Sequence, residues 1–344
     1  MNDSRTGSHV TRKLHRVRAR SDMARLDRRT KTALAVTLGA VVCLSLGIQE
    51  GAHPFEVTFE EGTNFAVALS PDGSNLVLDL QGTLWSLPVE GGEGRALTDG
   101  LGDDRLPDYS PDGRRVVFQS YRSGSWDLWA IGSDGNGLEP LTRGPFDDRE
   151  PVWSPDGTSV AFSSDRSGNY DIWILNVASG EVAQLTSDEE DDYMPTWSPD
   201  GSGIAFLSDR GVRGTTELWR IGARGGQESQ SKIASFEGRA ASPSWSPDGR
   251  QIVLQLLVER VYDLSGWRFS EGIASDLVVV QARGGEFVRR TSTEDVFPFR
   301  AQWMSEGGLL YTSDGLIRRL ASGEAAPHTI PFSVKITLNR PSYP

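Results

Sequence analysis

Short runs of alternating apolar and polar residues recur along the chain. In "SVAFSSDR", Val160 and Phe162 fall on one side of an extended backbone, and Ile204 and Phe206 repeat this arrangement in "GIAFLSDR". A period of two is typical of a β-strand that buries one face. Each run is followed by a strand-like run that opens with "DLW", "DIW" or "ELW", and then by one that ends in "LT". The pattern predicts an all-β chain built from a repeated unit.

A Ser-Pro-Asp-Gly sequence precedes most of these runs. It begins at Ser70, Ser110, Ser154, Ser198 and Ser246, with spacings of 40, 44, 44 and 48 residues, and a degenerate copy, "WMSEGG", follows later. Proline presets φ, aspartate can bond its own backbone and glycine accepts a positive φ, so the tetrapeptide predicts a tight turn between two strands. A four-stranded unit repeated at this period is the sequence sign of a β-propeller. Counting the turns predicts six blades.

The repeat sets approximate blade limits and a way to close the ring. Eight of the ten tryptophans occupy two positions of the repeat, so we assign them to packing between blades. Because an open ring would expose an unpaired edge, we expect residues 55–61 to pair into the last blade beside "TIPFSVKITL". An insertion around residues 258–275 predicts an exposed loop or an extended hairpin in the fifth blade. The predicted blades are 65–98, 107–142, 150–186, 195–234, 243–291 and 300–339.

Charge divides the chain into a basic head and an acidic body. Residues 1–31 contain ten Arg or Lys and three Asp, a net charge of +7, while the whole chain carries −12, which leaves −19 on the remainder. A nucleic-acid surface needs clustered Lys and Arg, so the body does not predict a nucleic-acid partner. Basic partners or cationic ligands fit its charge better.

An uncharged apolar segment at residues 33–49 follows the basic head. It predicts either a cleaved signal peptide or a transmembrane anchor, with residues 1–32 as a basic cytoplasmic tail. In either case we expect the body, residues 55–340, in the periplasm or on the extracytoplasmic side of a bacterial inner membrane. The single cysteine, Cys43, lies inside the segment, so the body forms no disulfide of its own.

The chain lacks the common signatures of catalysis. It contains four histidines, none paired with another in sequence, and no H-E-x-x-H, C-x-x-C or G-x-S-x-G motif. The zinc-protease, thiol-redox and serine-hydrolase mechanisms therefore lack their required residues. From this we expect no catalytic residue, no metal site and no cofactor.

Two stretches carry a family resemblance. "PVWSPDGTSVAFSSDRSGNYDIWILNVASGEVAQLT" and "PTWSPDGSGIAFLSDR" resemble the repeat of TolB-like β-propellers, and the resemblance covers most of residues 55–340. Such blades occur in periplasmic scaffold proteins, in prolyl-oligopeptidase-type and tricorn-type peptidases, and in amidohydrolases, so the resemblance implies fold more than function. TolB itself carries an extra domain before its propeller, and the blades here begin almost directly after the apolar segment.

Residues 57–100 and 330–344 resemble the amino-terminal propeller part of exported, multi-domain amidohydrolases. In that family a metal-dependent hydrolase barrel follows the propeller, and its metal centre needs an H-x-H strand that this chain does not contain. The resemblance implies a propeller that works beside a catalytic domain, without supplying the catalysis.

Repeated charged links between the blades are the candidate binding site. Propeller geometry puts the Ser-Pro-Asp-Gly turns on one face and these links, with the "SDR" loops, on the other, which ligands usually prefer. The carboxylates could bind a cation, a basic peptide or a partner domain, or they could bond loop backbone and neighbouring arginines with no ligand. We expect the Asp-Arg pairs of the "SDR" loops to tie one blade to the next. The candidate residues are Asp103, Asp104, Arg105, Asp147, Asp148, Arg149, Asp191, Asp192, Tyr193 and Arg239.

The sequence thus predicts a non-catalytic cell-envelope propeller that acts as a protein-binding or peptide-binding scaffold, or as a substrate-gating module. We expect a protein, a peptide or a hydrolase domain at the channel face, and membrane contact through residues 33–49 if that segment is not cleaved. The alternative is a truncated or split propeller part of a metal-dependent amidohydrolase whose catalytic barrel is absent from this chain.

Overall fold

A computed structural model describes residues 55–338 except residues 227–228, 265–266 and 293, and gives only the backbone for residues 55, 258–264, 267–274 and 338. The predicted basic tail and the apolar segment at residues 33–49 lie outside the described residues. In the part that is described, no helix is long and apolar enough to cross a membrane.

The described residues fold as β-strands that form six four-stranded antiparallel sheets and one three-stranded sheet. Sheet 1 contains β2 (Val67–Leu69), β3 (Asn75–Leu80), β4 (Thr83–Pro88) and β6 (Arg95–Ala96). Sheet 2 contains β7 (Arg105–Tyr109), β8 (Arg115–Ser120), β9 (Asp127–Gly132) and β10 (Glu139–Pro140). Sheet 3 contains β11 (Asp148–Trp153), β12 (Ser159–Ser164), β13 (Asp171–Asn176) and β14 (Val182–Gln184).

The later sheets repeat this order. Sheet 4 contains β15 (Asp192–Trp197), β16 (Gly203–Ser208), β17 (Thr215–Gly222) and β18 (Ser231–Glu237). Sheet 5 contains β19 (Ala240–Trp245), β20 (Gln251–Leu264), β21 (Trp267–Gln281) and β22 (Val288–Arg289). Sheet 6 contains β23 (Gln302–Trp303), β24 (Leu309–Ser313), β25 (Leu316–Leu320) and β26 (His328–Ile330). The three-stranded sheet contains β1 (Phe55–Phe59), β5 (Gly92–Glu93) and β27 (Phe332–Leu338).

The Ser-Pro-Asp-Gly turns form as the sequence predicts. In the turn at Ser154, the serine hydroxyl donates to Asp156 at 2.6 Å, and the same carboxylate oxygen accepts the backbone N–H of Thr158 at 3.0 Å. Gly157 has a φ of 71° and donates its N–H to the Ser154 carbonyl at 2.9 Å. The other four turns repeat the serine-to-aspartate bond at 2.6 Å. Glycine is needed at the fourth position because other residues rarely adopt this φ.

Hydrophobic clusters join each sheet to the next. Trp153 and Phe162 of sheet 3 pack with Val117 and Leu128 of sheet 2, and equivalent clusters join the other consecutive pairs. One further cluster joins sheet 6 to sheet 1, so the sheets close into a ring. The eight repeated tryptophans all lie in these clusters, which confirms their assignment to packing between repeats.

The three-stranded sheet fastens the two ends of the array. Strand β1 pairs antiparallel with β27, from Phe55 opposite Leu338 to Phe59 opposite Val334, as expected for these two segments. The two strands form a sheet that is separate from sheet 6, whose fourth strand is β26. Our expectation that residues 55–61 join the last blade was therefore wrong. Instead β27 pairs parallel with β5, which lies beside sheet 1, and Lys335 donates to Glu93 at 2.7 Å.

The insertion in sheet 5 is an extended hairpin. Strands β20 and β21 stay in register from Gln251 opposite Gln281 to Leu264 opposite Trp267, with one irregularity after Arg260. Strand β19 pairs with β20 only as far as Leu256, so the hairpin continues beyond the sheet as a two-stranded ribbon.

Candidate binding face at the channel mouth

The two ends of the ring carry different loops. We call the end with the Ser-Pro-Asp-Gly turns the turn face. The other end, the mouth face, carries the links between sheets and the loops between second and third strands. The two kinds of loop meet there, because the N–H of Asp148 donates to the carbonyl of Trp126, and that of Asp192 donates to Tyr170, each at 2.7 Å.

Three of the predicted site carboxylates are buried in ion pairs. Asp148 accepts two hydrogen bonds from Arg166 Nη2, at 2.6 and 2.8 Å, and Asp104 accepts from Arg122 at 2.7 Å. Asp192 accepts a hydrogen bond from Arg210 Nη2 in the same way. All three aspartates are at most 1% exposed. The sequence predicts these aspartates as partner-binding candidates, and in the structure each is buried against an arginine that it pairs with.

The arginines of these pairs also lie over the tryptophan that recurs in the third strand of each repeat. The guanidinium of Arg166 lies 5.0 Å from the ring centre of Trp173, and that of Arg210 lies 5.0 Å from Trp219. A cation over a tryptophan face adds to the stability of the pair. We expected the arginines of the "SDR" loops to tie one blade to the next. In the structure, the buried aspartate that pairs with each arginine belongs to the same sheet as that arginine. Two of the arginines also reach back into the link from the preceding sheet, because Arg210 lies 3.3 Å from Asp188 and Arg122 lies 2.8 Å from Asp99.

Burial raises the pKa of Asp192 to about 6, although a hydrogen bond from Ser208 and the positive charge of Arg210 oppose the shift. A carboxylate in low-dielectric surroundings costs free energy in its charged form, which explains the direction.

The first aspartate of each link is more accessible and organises the loop. Asp147 accepts the N–H of Trp126 at 3.1 Å and a bond from Arg149 at 2.7 Å, and Asp191 accepts the N–H of Tyr170 at 2.9 Å. Asp103 pairs with Arg105 at 2.8 Å. These bonds match the alternative that the link carboxylates bond loop backbone and neighbouring arginines.

An aromatic and cationic cluster lies on the same face. Two guanidinium groups lie near the ring of Trp126, with Arg105 at 5.9 Å and Arg149 at 5.3 Å from the ring centre. Tyr121 packs against the tryptophan with ring centres 5.5 Å apart and is 50% exposed. Leu101 is 84% exposed on the neighbouring link. We call these five residues the mouth patch.

The other two predicted residues lie at a cleft between sheets 4 and 5. Tyr193 donates its hydroxyl to Asp209 at 2.8 Å, and Arg239 is exposed. The cleft has a volume of about 530 Å³ and is also lined by Arg213 and Val212. Val212 is 80% exposed, so the cleft joins an apolar surface to charged groups.

The channel mouth itself is lined by one residue from the start of each inner strand. We call these residues the mouth ring: Ala66, Leu106, Glu150, Met194, Ser242 and Arg300. Leu106, Glu150, Met194 and Ser242 have φ values of 53°, 58°, 54° and 49°. Each lies where the inner strand loses register with its neighbour. Residues with side chains rarely adopt such φ values, and strained backbone of this kind is concentrated at functional sites.

Side chains from the preceding sheet hold the ring in this conformation. Asp79 accepts the N–H of Leu106 at 2.7 Å, Gln119 accepts that of Glu150 at 2.8 Å, and Glu150 accepts that of Met194 at 2.7 Å. Burial raises the pKa of Asp79 to about 7, although its two backbone hydrogen bonds oppose the shift. The mouth is therefore built by bonds that pass from sheet to sheet.

Arg300 crosses the channel. It belongs to sheet 6, yet its Nη1 donates to Asp108 of sheet 2 at 3.1 Å, and its Nη2 lies 3.5 Å from the Pro195 carbonyl of sheet 4. Asp108 also accepts the N–H of Trp153 at 2.9 Å, and burial raises the pKa of Asp108. The cavity left at the mouth is about 30 Å³, room for roughly two water molecules. It is too small to enclose a whole small-molecule substrate.

Sequence reasoning missed Glu150, Arg300, Trp126 and Asp79. Aligning the repeats on the Ser-Pro-Asp-Gly turn puts Glu150 and Arg300 at one repeat position, where the residue type changes from sheet to sheet. This change of residue type at one repeat position is the sequence signal that could have identified Glu150 and Arg300. In the described part of the chain, no group of three or more His, Cys, Asp or Glu residues is placed to hold a metal.

Comparison with known proteins supports the fold. The sequence family described as the tricorn protease N-terminal beta propeller domain matches residues 125–319. No curated protein sequence matches the chain.

Solved structures share the fold at low identity. The protein assigned as TolB from Agrobacterium tumefaciens is 21% identical, with a TM-score of 0.58 over 83% of this chain and 98% of that one. TolB from Acinetobacter baumannii is 19% identical, with a TM-score of 0.58 over 90% and 73%. The tricorn protease is 10% identical, with a TM-score of 0.54 over 84% of this chain and 37% of that one. At these identities the likeness shows a TolB-like β-propeller fold.

Proposed function

The chain belongs to the family of tricorn protease N-terminal β-propeller domains, and we propose that it is a non-catalytic propeller whose mouth face binds a protein or peptide partner. The six four-stranded sheets would be its blades, and the three-stranded sheet would be a clasp that fastens the ring. The proposed location is the extracytoplasmic side of the membrane, in line with the apolar segment at residues 33–49.

The mouth patch is the observation that carries this proposal. Tryptophan, tyrosine and arginine are the residue types that dominate binding energy in protein interfaces. Here they lie together in Trp126, Tyr121, Arg105 and Arg149, and Leu101 is exposed on the neighbouring link. Each arginine is already oriented by an aspartate, which lowers the cost of ordering it on binding.

The charge of the body indicates the kind of partner. Outside the basic tail the chain carries −19, and a surface of one sign attracts partners of the other. We therefore expect a partner with a basic contact surface. Three of the sequence candidates support the loops, namely Asp104, Asp148 and Asp192. The accessible candidates remain proposed contacts: Asp103, Asp147, Asp191, Arg105, Arg149, Tyr193 and Arg239.

A second candidate function is that of a propeller within a larger hydrolase assembly. The structural match covers 37% of the tricorn protease chain. The fold therefore also occurs as part of a longer protein. In that case the partner at the mouth face would be a hydrolase domain.

Photocrosslinking tests the proposed function. Benzoylphenylalanine is introduced into the full chain at Tyr121, in the mouth patch, and in a second protein at Leu138, a 36% exposed residue in the loop that follows β9 at the turn face. We expect a discrete crosslinked partner from position 121 and none from position 138. Trp126→Ala should lower the yield at position 121 at least fivefold. Equal crosslinking at both positions, or none at either, would overturn the proposal.

A further inference from the structure

We propose that Glu150 in the mouth ring receives a primary ammonium group of the partner, either a lysine side chain or an amino terminus. The inference rests on the proposed function, because it names the chemistry by which a partner bound at the mouth face enters the channel.

The carboxylate of Glu150 is fixed on one side only. Its Oε2 accepts the hydroxyl of Ser163 and the N–H of Met194, each at 2.7 Å. Its backbone N–H is held by Gln119 at 2.8 Å. Within the described residues, Oε1 accepts no hydrogen bond and lies in a side chain that lines the mouth. The geometry thus orients one oxygen for the protein and leaves the other for a ligand.

Glu150 also has no ion-pair partner in the described part of the chain. The other charged member of the mouth ring, Arg300, is bonded to Asp108 at 3.1 Å. Burial raises the pKa of Glu150, and neither Arg149 nor Arg300 nearby cancels that shift. A half-buried carboxylate without a cation is costly in its charged form. A ligand that brings one positive charge removes this cost.

The size and walls of the mouth favour an ammonium over other cations. A cavity of about 30 Å³ admits a compact head group but leaves little room for a planar guanidinium. Leu106, Pro151 and Met194 line the same cavity, and such apolar walls suit the methylene stem of a lysine. A hard metal ion needs several oxygen ligands, which a single carboxylate does not provide.

Binding of four labelled octapeptides to the full-length protein tests the proposal by fluorescence anisotropy. All have a glycine and serine backbone and a fluorescein at the carboxyl end. One has a blocked amino terminus and a single lysine, one has a free amino terminus and no lysine, one has a blocked terminus and a single arginine, and one is blocked and neutral. We expect the lysine or the free-amine peptide to bind at least tenfold more tightly than the neutral one, and the tighter of the two identifies the source of the ammonium.

Two variants complete the test. Glu150→Gln keeps an acceptor for Ser163 and Met194 but removes the charge, and should weaken binding of the favoured peptide at least tenfold. Glu181→Gln removes one negative charge from an exposed residue at the turn face of the same sheet and should change affinity less than threefold. Binding of the arginine or neutral peptide equal to that of the favoured peptide, or an unchanged affinity in Glu150→Gln, would overturn the inference.

The photocrosslinking result separates this inference from the proposed function. If position 121 still crosslinks its partner while Glu150→Gln leaves peptide binding unchanged, the partner contacts only the mouth patch and the inference fails alone. If position 121 gives no crosslink, the proposed function and the inference both fail.

Discussion

The aspartates of the Ser-Pro-Asp-Gly turns and a set of buried carboxylates at the mouth face and in the channel have pKa values shifted in opposite directions. At the turn face, five exposed aspartates each accept a serine hydroxyl and a backbone N–H, and these bonds hold their pKa values below the ordinary value, to about 2 for Asp72 and Asp200. At the mouth face and in the channel, burial raises the pKa values of Asp108 and Glu150, of Asp192 to about 6 and of Asp79 to about 7. Hydrogen bonding decides the pKa of the turn aspartates, and desolvation decides the pKa of these buried carboxylates.

The two ends of the ring also differ in how strongly the residue type is repeated from sheet to sheet. All five Ser-Pro-Asp-Gly turns use the same serine and aspartate bonds, so the turn face is nearly constant from sheet 1 to sheet 5. The mouth ring changes residue type in every sheet, from alanine and leucine to glutamate and arginine. A constant scaffold with one variable end is the arrangement expected where a binding site has been placed on a common fold.

Removing a buried arginine at the mouth face should have the largest effect on stability. Arg166→Met leaves Asp148, which is 1% exposed, without its cation. Breaking a buried ion pair from one side costs about 3–5 kcal/mol in the free energy of unfolding. Urea denaturation of the full chain measures this change.

Ser154→Ala, at the turn face of the same sheet, is the matched control. It removes the hydroxyl that donates to Asp156 and accepts from the N–H of Ser159, and should cost about 1–2 kcal/mol. The double variant Asp148→Asn with Arg166→Met should recover part of the loss. A smaller loss in Arg166→Met than in Ser154→Ala would show that the ion pairs do not support the mouth.

The opposite acidities predict opposite effects of pH. The folded-state pKa of Asp79, about 7, lies above its ordinary value of 3.8. Its contribution to stability is therefore fully present below about pH 4 and is lost as the pH rises through 7. Relative to Asp79→Asn, the unmodified protein should gain on the order of 3 kcal/mol in unfolding free energy at pH 4.5 compared with pH 7.5, since one pKa unit corresponds to about 1.4 kcal/mol.

Asp200→Asn provides the comparison at the turn face. The pKa of Asp200 is lowered to about 2, so its contribution is present above about pH 4 and is lost only as the pH falls through 2. The stability difference caused by this substitution should be the same at pH 4.5 and pH 7.5. A pH-dependent stability difference for Asp200→Asn, or a pH-independent one for Asp79→Asn, would contradict a lowered pKa for the turn aspartate and a raised pKa for the buried one.

The sequence predicts the local parts of this fold well. The alternating strands, the five turns and the packing role of the repeated tryptophans all depend on residues close together in the repeat, such as Ser154 and Asp156. Period and turn chemistry carry this information directly.

The parts that the sequence did not predict depend on contacts between distant residues. The pair of Asp148 and Arg166 spans eighteen residues, and Arg300 reaches Asp108 across 192 residues. Glu150 takes its place in the mouth because the inner strand loses register next to it, which no composition rule predicts. The pairing of β27 with β5 is another long-range contact, and it made the end of the array a separate sheet.

Amide hydrogen exchange of the full chain, with and without the partner crosslinked at position 121, tests most directly which face binds. If the mouth face binds, residues 99–106, 121–126 and 144–150 will gain protection in the complex, and the Ser-Pro-Asp-Gly turns will exchange as in the free protein. Protection confined to the turns, for example at residues 154–157 and 198–201, would contradict the account.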